Sequence, residues 1–239
     1  MKLAICTMIR NEASNYLGGL LNAWQNFADE IILLDNNDAD DNADVELFDE
    51  VWQKPFHYEW RKEEAWGNEA PAREQLFNLA MKSDADWLLW LDADMCPLRD
   101  PKPLMQPGID AVAFPLYDLW STTPLAYRED SYWKAHHCPR IWAIRKPSVD
   151  FIPEWATQGL HCGHLPLNLM PIRVLTAPNK YAILHYGYAS SFDRMRKWRA
   201  YVDQSEILTP FQLAHAQTIT DHNPNIMPLP YAPKWEIKK

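Results

Sequence analysis

An apolar run that ends in two carboxylates is the feature that most constrains the fold of this chain. Trp87-Leu88-Leu89-Trp90-Leu91 is followed directly by Asp92-Ala93-Asp94-Met95. A short, uninterrupted apolar run is typical of a strand that is buried on both faces, as in a parallel sheet covered by helices. Because side chains alternate along a strand, we expect Asp92 and Asp94 on one face, at the carboxyl end where open α/β sheets bind ligands.

Two carboxylates so close together need a cation. Their mutual repulsion would otherwise raise the pKa of one of them. Water, an arginine or a divalent metal ion could each relieve that repulsion, and Mg²⁺ or Mn²⁺ would also bridge to the phosphates of a nucleotide. The structural alternative is an Asp-rich turn without a ligand, since Asp-x-Asp alone recurs by chance.

Strands and helices alternate through the first hundred residues. The pattern predicts strands over 1–8 and 30–34, a third strand near 51–60, and helices over 14–27 and 71–81. This β-α-β-β-α-β order predicts an α/β fold with a Rossmann-like, mostly parallel sheet flanked by helices. Asp35, which ends the second strand, is thereby predicted to lie at the same sheet edge as Asp92.

Four motifs in this order resemble those of family 2 glycosyltransferases of the GT-A fold. They are the Arg10-Asn11-Glu12 turn, Asp35, the helix opening Ala72-Arg73-Glu74-Gln75-Leu76, and Leu91-Asp92-Ala93-Asp94-Met95. The resemblance covers about residues 1–100. It departs from the family at the helix opening, where many relatives have Ala-Arg-Asn-x-Gly, because this chain keeps Ala72 and Arg73 but has Glu74 and Leu76 in place of the Asn and the Gly.

The resemblance implies metal-dependent transfer of a sugar from a UDP- or GDP-sugar to an acceptor hydroxyl, with inversion of configuration. In that family the first turn and the second-strand Asp hold the nucleoside, while the Asp-x-Asp holds ribose and Mn²⁺ or Mg²⁺. A metal and nearby cations would stabilise the charge that develops on the departing diphosphate. The residues expected to bind the nucleotide sugar are Thr7, Arg10, Asn11, Glu12, Asp35, Arg73, Asp92 and Lys197. For Arg10 and Arg73, the alternative is an ordinary surface ion pair with Glu12 or Glu69.

We expect one domain with residues 101–222 as an acceptor-binding half, followed by a Pro-rich tail at 223–239. Strand-like segments at 110–116 and 140–145 are separated by a loop-like stretch at 117–139. Aromatic side chains in such loops suit carbohydrate acceptors. Packing is nevertheless the simpler explanation for Trp120, Trp133 and Trp155. The tail is expected to be an extended strap or a disordered end.

A late histidine completes the expected metal site. Residues 181–188 indicate a strand that leads into a Gly turn, and His185 resembles the late metal ligand of GT-A enzymes. Asp92, Asp94 and His185 are therefore the predicted metal ligands, with a hydrogen-bonded structural histidine as the alternative for His185. A basic helix capped by Ser191 follows, and its Arg194 or Lys197 could close over the diphosphate as a lid.

An inverting transferase also needs a general base near the acceptor hydroxyl. The candidates are Glu154 first, then Asp130 and His161. Retention of configuration stays open.

Two clusters of zinc-type ligands offer a rival metal site. They are His136-His137-Cys138 and His161-Cys162-Gly163-His164. Neither has the paired Cys-x₂-Cys spacing of structural zinc sites, which disfavours zinc. The four cysteines are scattered and are expected to be reduced thiols of a cytoplasmic protein.

The composition of the chain and the absence of certain motifs disfavour other classes of protein. A net charge of −9 disfavours a broad nucleic-acid surface. No apolar segment approaches the roughly 20 residues of a membrane span, and no signal-peptide pattern precedes strand one. A sugar nucleotidyltransferase would carry a Gly-rich loop after that strand, and residues 7–12 contain no glycine. A non-catalytic carbohydrate-binding protein with a decayed transferase fold would not need the carboxylates of Asp35, Asp92 and Asp94.

Overall fold

The computed structural model describes residues 1–37, 43–62, 69–156 and 162–237. Their strands are β1 (Leu3–Ile9), β2 (Glu30–Asp35), β3 (Phe56–Trp60), β4 (Trp87–Trp90), β5 (Met95–Pro97), β6 (Ala111–Phe114), β7 (Leu116–Thr122), β8 (Leu125–Arg128), β9 (Arg140–Arg145), β10 (Val174–Thr176), β11 (Ile183–His185) and β12 (Ile226–Pro228). Their α-helices are α1 (Leu17–Trp24), α2 (Ala43–Val51), α3 (Glu69–Lys82), α4 (Ser191–Asp203) and α5 (Pro210–Thr218).

The central sheet has seven strands in the order β10-β6-β9-β4-β1-β2-β3. Strands β3, β2, β1 and β4 run parallel to one another, and β10 runs parallel to β6. Only β9, inserted between β4 and β6, pairs antiparallel within this sheet. The predicted α/β fold with a Rossmann-like, mostly parallel sheet flanked by helices is confirmed.

Helices cover both faces of the sheet. Leu17, Leu20 and Trp24 of α1 and Phe48 of α2 are fully buried in one core, together with the odd-numbered side chains of β1. Helix α3 packs on the other face through Ala72, Leu76, Phe77 and Ala80, against Ala4 and Cys6 of β1. Burial on both faces explains why the strands read as continuous apolar runs.

Helix α2 was not predicted, and the order of elements is corrected to β-α-β-α-β-α-β. Its first turn carries Asp44 and Glu46, which favour a helix N-terminus because they interact well with its partial positive charge. The sequence interpretation had merged the end of this helix with the third strand, which begins only at Phe56. Helix α1 is also shorter than predicted and begins at Leu17.

A second sheet, in the order β12-β8-β7-β11-β5, lies in the later part of the chain. The stretch 117–139, predicted as a loop, contains most of the antiparallel β7-β8 pair. Of the two alternatives for the tail, the structure shows the extended strap. Strand β12 pairs with β8, and the Trp235 indole donates to the Pro97 carbonyl oxygen at 2.8 Å. Among the described residues, no helix is long and apolar enough to cross a membrane.

Candidate functional site

The candidate site lies where three parallel strands of the central sheet end. Register pairs Ile9 with Asp35 and Cys6 with Trp90, so β1, β2 and β4 finish at one edge. Asp92 and Asp94 are not part of β4. They lie in a tight turn between β4 and β5, in which the Met95 amide donates to the Asp92 carbonyl at 3.0 Å. Their proximity therefore comes from this turn and not from strand alternation.

Asp94 is buried and is held by two cationic side chains. Its Oδ2 lies 3.0 Å from Lys197 Nζ and 3.3 Å from His185 Nε2. Its Oδ1 is buried and has no hydrogen-bond partner among the described residues. Gly187 makes this packing possible, because a Cβ there would lie 2.3 Å from both Asp94 Oδ2 and Lys197 Nζ.

Asp92 is more exposed and has its own partners. Its Oδ1 lies 3.2 Å from Arg73 Nη2 and 3.0 Å from His164 Nε2. Arg73 is buried, and in the described part of the chain its Nε and Nη1 have no hydrogen-bond partner. The alternative of a surface ion pair with Glu69 does not hold, because the 3.9 Å contact with that carboxylate is buried too.

The internal cations reverse the expected pKa behaviour of the two carboxyls. Burial would raise both pKa values, but His164 and Arg73 hold the pKa of Asp92 well below its usual range. Lys197 and His185 likewise lower the pKa of Asp94, despite burial. The repulsion between the two carboxylates is thus relieved by side chains of the chain, and the arginine among the expected alternatives is Arg73.

His185 is oriented by an aspartate that the sequence interpretation missed. Its Nδ1 lies 2.7 Å from Asp118 Oδ1, which aims Nε2 at Asp94. Burial lowers the pKa of His185, but the carboxylates of Asp94 and Asp118 outweigh burial and the Lys197 charge and raise it to about 9. His185 thus makes the structural hydrogen bond of its alternative, and its Nε2 faces Asp94, the carboxylate with which it is predicted to share a metal ion.

Helix α4 brings one of its two proposed lid residues to the site. Its N-cap is Ser190, one residue before the predicted Ser191, and the Ser190 hydroxyl accepts from the Asp193 amide at 3.1 Å. Lys197 reaches Asp94. Arg194 does not, because its Nη1 donates to the carbonyls of Trp120 and Tyr188.

Asp35 lies buried at the end of β2, as predicted. Its Oδ1 accepts from the Asn37 amide at 2.8 Å and its Oδ2 from the Tyr58 hydroxyl at 3.0 Å. Asp44 of α2 anchors the turn after β1 by accepting from the Glu12 amide at 2.8 Å. In the same turn, the Asn11 amide donates to Asn37 Oδ1 at 2.6 Å.

The remaining predicted site residues of β1 and the turn after it differ in how exposed their side chains are to solvent. Thr7 is fully buried inside β1, and its contact with a nucleotide stays a prediction. Arg10 is half-exposed on the turn. The Glu12 carboxylate lies 3.8 Å from Arg196 Nη1. Burial, followed by the charge of Asp94, raises the pKa of Glu12 to about 7.

The candidate bases are not drawn into this cluster. Asp130 accepts from Arg128 Nε at 2.8 Å and from the Asn225 amide at 2.8 Å, so its carboxylate has a structural role. Glu154 is exposed, and His161 lies outside the described residues. Within the described part of the chain, no hydrogen bond or ion pair joins Glu154 or Asp130 to Asp92 or Asp94.

The residues that sequence reasoning missed come from distant elements. The sequence places His164 in a rival zinc cluster, nothing local to Asp118 indicates a role, and Gly187 is predicted only as a turn residue. Trp120 and Trp133 are buried in an aromatic cluster with Tyr188, and Trp155 packs on Phe77, so packing explains all three.

No protein-family model matches this chain, and no curated protein does. The chain is similar to several solved structures at low identity. HddC from Yersinia pseudotuberculosis is 11% identical, with 82% of this chain and 97% of that chain covered and a TM-score of 0.44. A cytidylyltransferase from Leptospira borgpetersenii is 17% identical over 48% of this chain and 54% of that chain, with a TM-score of 0.34.

Glucosyl-3-phosphoglycerate synthase from Mycobacterium tuberculosis, in complex with Mn²⁺, UDP-glucose and phosphoglyceric acid, is 12% identical. The match covers 49% of this chain and 44% of that chain, with a TM-score of 0.30. This chain thus spans about half the length of the last two proteins. Similarities of this size assign no function and no family.

Proposed function

We propose that this chain is a transferase that moves a sugar from a nucleoside-diphosphate sugar to an acceptor hydroxyl. The observation that carries the proposal is the charged cluster at the ends of β1, β2 and β4. There a buried carboxylate, Asp94, is flanked by cations and keeps one oxygen without a hydrogen-bond partner. Ligands of open α/β sheets gather at this edge.

The residues present fit a divalent cation. A hard ion prefers oxygen ligands, and the unpartnered Oδ1 of Asp94 offers one in a buried position. Asp94, His185 and the more exposed Asp92 would hold Mn²⁺ or Mg²⁺. When bound, the ion would neutralise charge on the departing diphosphate.

The chain supplies positive charge of its own for the same purpose. Lys197 lies beside Asp94, and Arg73 is held by Asp92 with two guanidinium nitrogens that have no hydrogen-bond partner. Cations preorganised in a buried site stabilise a developing negative charge better than water does, because they need not reorient. Lys197 and Arg73 therefore support binding and departure of a diphosphate.

The rest of the site is proposed by position. Asp35, with Tyr58 beside it, would accept hydrogen bonds from the nucleoside, and the turn of Arg10, Asn11 and Glu12 would border it. Residues 101–222 would supply the acceptor site. Glu154, an exposed carboxylate, is the general base we propose, because structural hydrogen bonds occupy Asp130.

The test is calorimetric titration with UDP and GDP, with and without Mn²⁺. We expect one nucleotide to bind more tightly with Mn²⁺, and Asp94→Asn to remove that gain. Asp84→Asn is the matched control, because Asp84 is exposed and lies before β4, at the other end of the strand. Wild-type affinity in Asp94→Asn, or no nucleotide binding by the native chain, would refute the proposal.

A panel of nucleotide sugars then identifies the reaction. Release of the nucleoside diphosphate from one donor is the expected product. Release or consumption of pyrophosphate would instead indicate a nucleotidyltransferase.

A further inference from the structure

A second group of metal-ligating side chains lies at the end of β8. Glu129 follows this strand directly, while His136 and His137 lie in a short 3-10 turn before β9. The ligand atoms of these three side chains all lie within 4.8 Å of one another. The sequence spacing had disfavoured zinc for His136-His137-Cys138, but it could not show that Glu129 is brought to the two histidines.

The ring of His136 is buried and fixed by aromatic packing. It stacks on Tyr117 with ring centroids 4.8 Å apart, and it meets Tyr127 edge-on at 5.0 Å. Its Nε2 faces Glu129 Oε1 at 3.6 Å, which is longer than a hydrogen bond. A buried imidazole nitrogen therefore faces a carboxylate oxygen with room for a shared ion.

The glutamate is oriented by its second oxygen. The Tyr127 hydroxyl donates to Glu129 Oε2 at 2.8 Å, which leaves Oε1 facing the two histidines. His137 Nε2 lies 3.1 Å from that same Oε1 and is largely exposed, so the group opens to solvent on one side. A hydrogen-bond partner of this kind commonly orients the ligand of a metal ion.

We propose that Glu129, His136 and His137 bind a zinc ion, with a fourth position open to water. Two imidazoles and one carboxylate form the ligand set of open zinc sites, and imidazole favours zinc over magnesium. This site is separate from the Asp94 cluster. Neighbouring residues of β7 contact the two, since Tyr117 packs on His136 and Asp118 binds His185.

The test is titration of Zn²⁺ into the metal-stripped full chain, with binding followed by calorimetry. We expect His137→Ala to lose one equivalent of zinc, or to bind it at least about 10-fold more weakly. Glu129→Gln should behave alike, and it keeps the acceptor for Tyr127. His222→Ala is the matched control, because His222 is an exposed histidine elsewhere on the chain.

Further arms separate this site from other sources of zinc binding. Cys138→Ser should retain the zinc, and a large excess of Mg²⁺ should not displace it. The proposal is wrong if the native chain binds no zinc, or if His137→Ala and Glu129→Gln, shown by circular dichroism to be folded, both bind it as the native chain does. Loss of zinc in Cys138→Ser would also overturn it, because the site would then be centred on the cysteine.

Discussion

At the candidate site, the negative charges of two neighbouring carboxylates are compensated by side chains of the chain itself. Asp92 and Asp94 are both kept ionised by contacts with Arg73, His164, Lys197 and His185. A metal ion would therefore bind at a site where cationic side chains already balance the charges of the two carboxylates. Competition between the ion and Lys197 for the Asp94 carboxylate follows from this arrangement.

Lys197→Met tests this competition. The substitution leaves the buried Asp94 with His185 as its nearest cation, so we expect the free energy of unfolding to fall by about 3 kcal/mol without metal. Mn²⁺ should restore more stability to the variant than to the native chain. Thermal unfolding with and without Mn²⁺ measures this, with the exposed Lys180→Met as control. Equal Mn²⁺ shifts in the two chains would contradict it.

Glu12 makes the stability of the metal-free chain depend on pH. Its pKa is raised from near 4.5 to about 7 in the folded state, so folding favours the protonated form. The contribution of Glu12 to stability is therefore fully present below pH 4.5, and up to about 3 kcal/mol of it is lost as the pH rises to 7 and beyond.

Glu12→Gln should remove this loss, because the amide keeps its size but carries no charge. Urea unfolding from pH 4.5 to 8, in the presence of a chelator, should show a stability difference in favour of the variant that grows with pH and levels off above 7. Parallel curves for the two chains would show that the Glu12 carboxyl has an ordinary pKa.

At the scale of elements, the site depends on how closely β11 and α4 approach the turn after β4. Gly187, just after β11, leaves space for Asp94 and Lys197 to meet. The Ser190 cap then fixes the start of α4. The missing side chain of Gly187 thus leaves the space in which the charged cluster forms.

Gly187→Ala is expected to break the Lys197–Asp94 contact, because the new Cβ would occupy the space of both groups. We expect nucleotide affinity to fall at least about 10-fold, by the scale of a lost supporting contact. Gly18→Ala is the matched control. Its Cβ would only touch Leu47 methyl groups at 3.6 and 3.8 Å, and alanine favours helix α1 by up to about 1 kcal/mol. Calorimetry and melting temperatures compare the two, and equal nucleotide affinity would contradict the steric argument.

At the scale of the whole molecule, the C-terminal tail ties the second sheet to the main core. Strand β12 extends this sheet at β8, and the Trp235 ring packs against Phe27 with centroids 5.8 Å apart. The same indole donates to Pro97 of β5. The tail is therefore part of the folded structure and not an appendage.

Trp235→Ala should lower the free energy of unfolding by about 3–5 kcal/mol, because it removes a large buried ring and its hydrogen bond. Tyr231→Ala, at a more exposed position of the same tail, should cost much less. Urea unfolding of both variants measures the difference. A Trp235→Ala chain as stable as Tyr231→Ala would mean that the tail contributes little to the fold.

Local patterns in the sequence were sufficient for most of the central sheet. The apolar runs of β1, β2 and β4 indicated buried parallel strands, and the sequence correctly predicted Asp35 at the end of β2 and Asp92 just after β4. Helix α2 was missed because it is short and acidic and follows a cluster of turn-forming residues.

The sequence by itself determined that β1, β2 and β4 are buried strands, that α1 and α3 cover them, and which edge of the sheet collects the carboxylates, because periodicity and turn chemistry are properties of neighbouring residues. Only the tertiary structure decided the partners. His164 reaches Asp92 across 72 residues, and Lys197 reaches Asp94 from a separate helix. Glu129, which directly follows β8, likewise lies close to His136 and His137 in the later 3-10 turn. Ion pairs and ligand sets of this kind depend on how elements that are far apart in the sequence pack together. The spacing of residues along the chain does not indicate that packing.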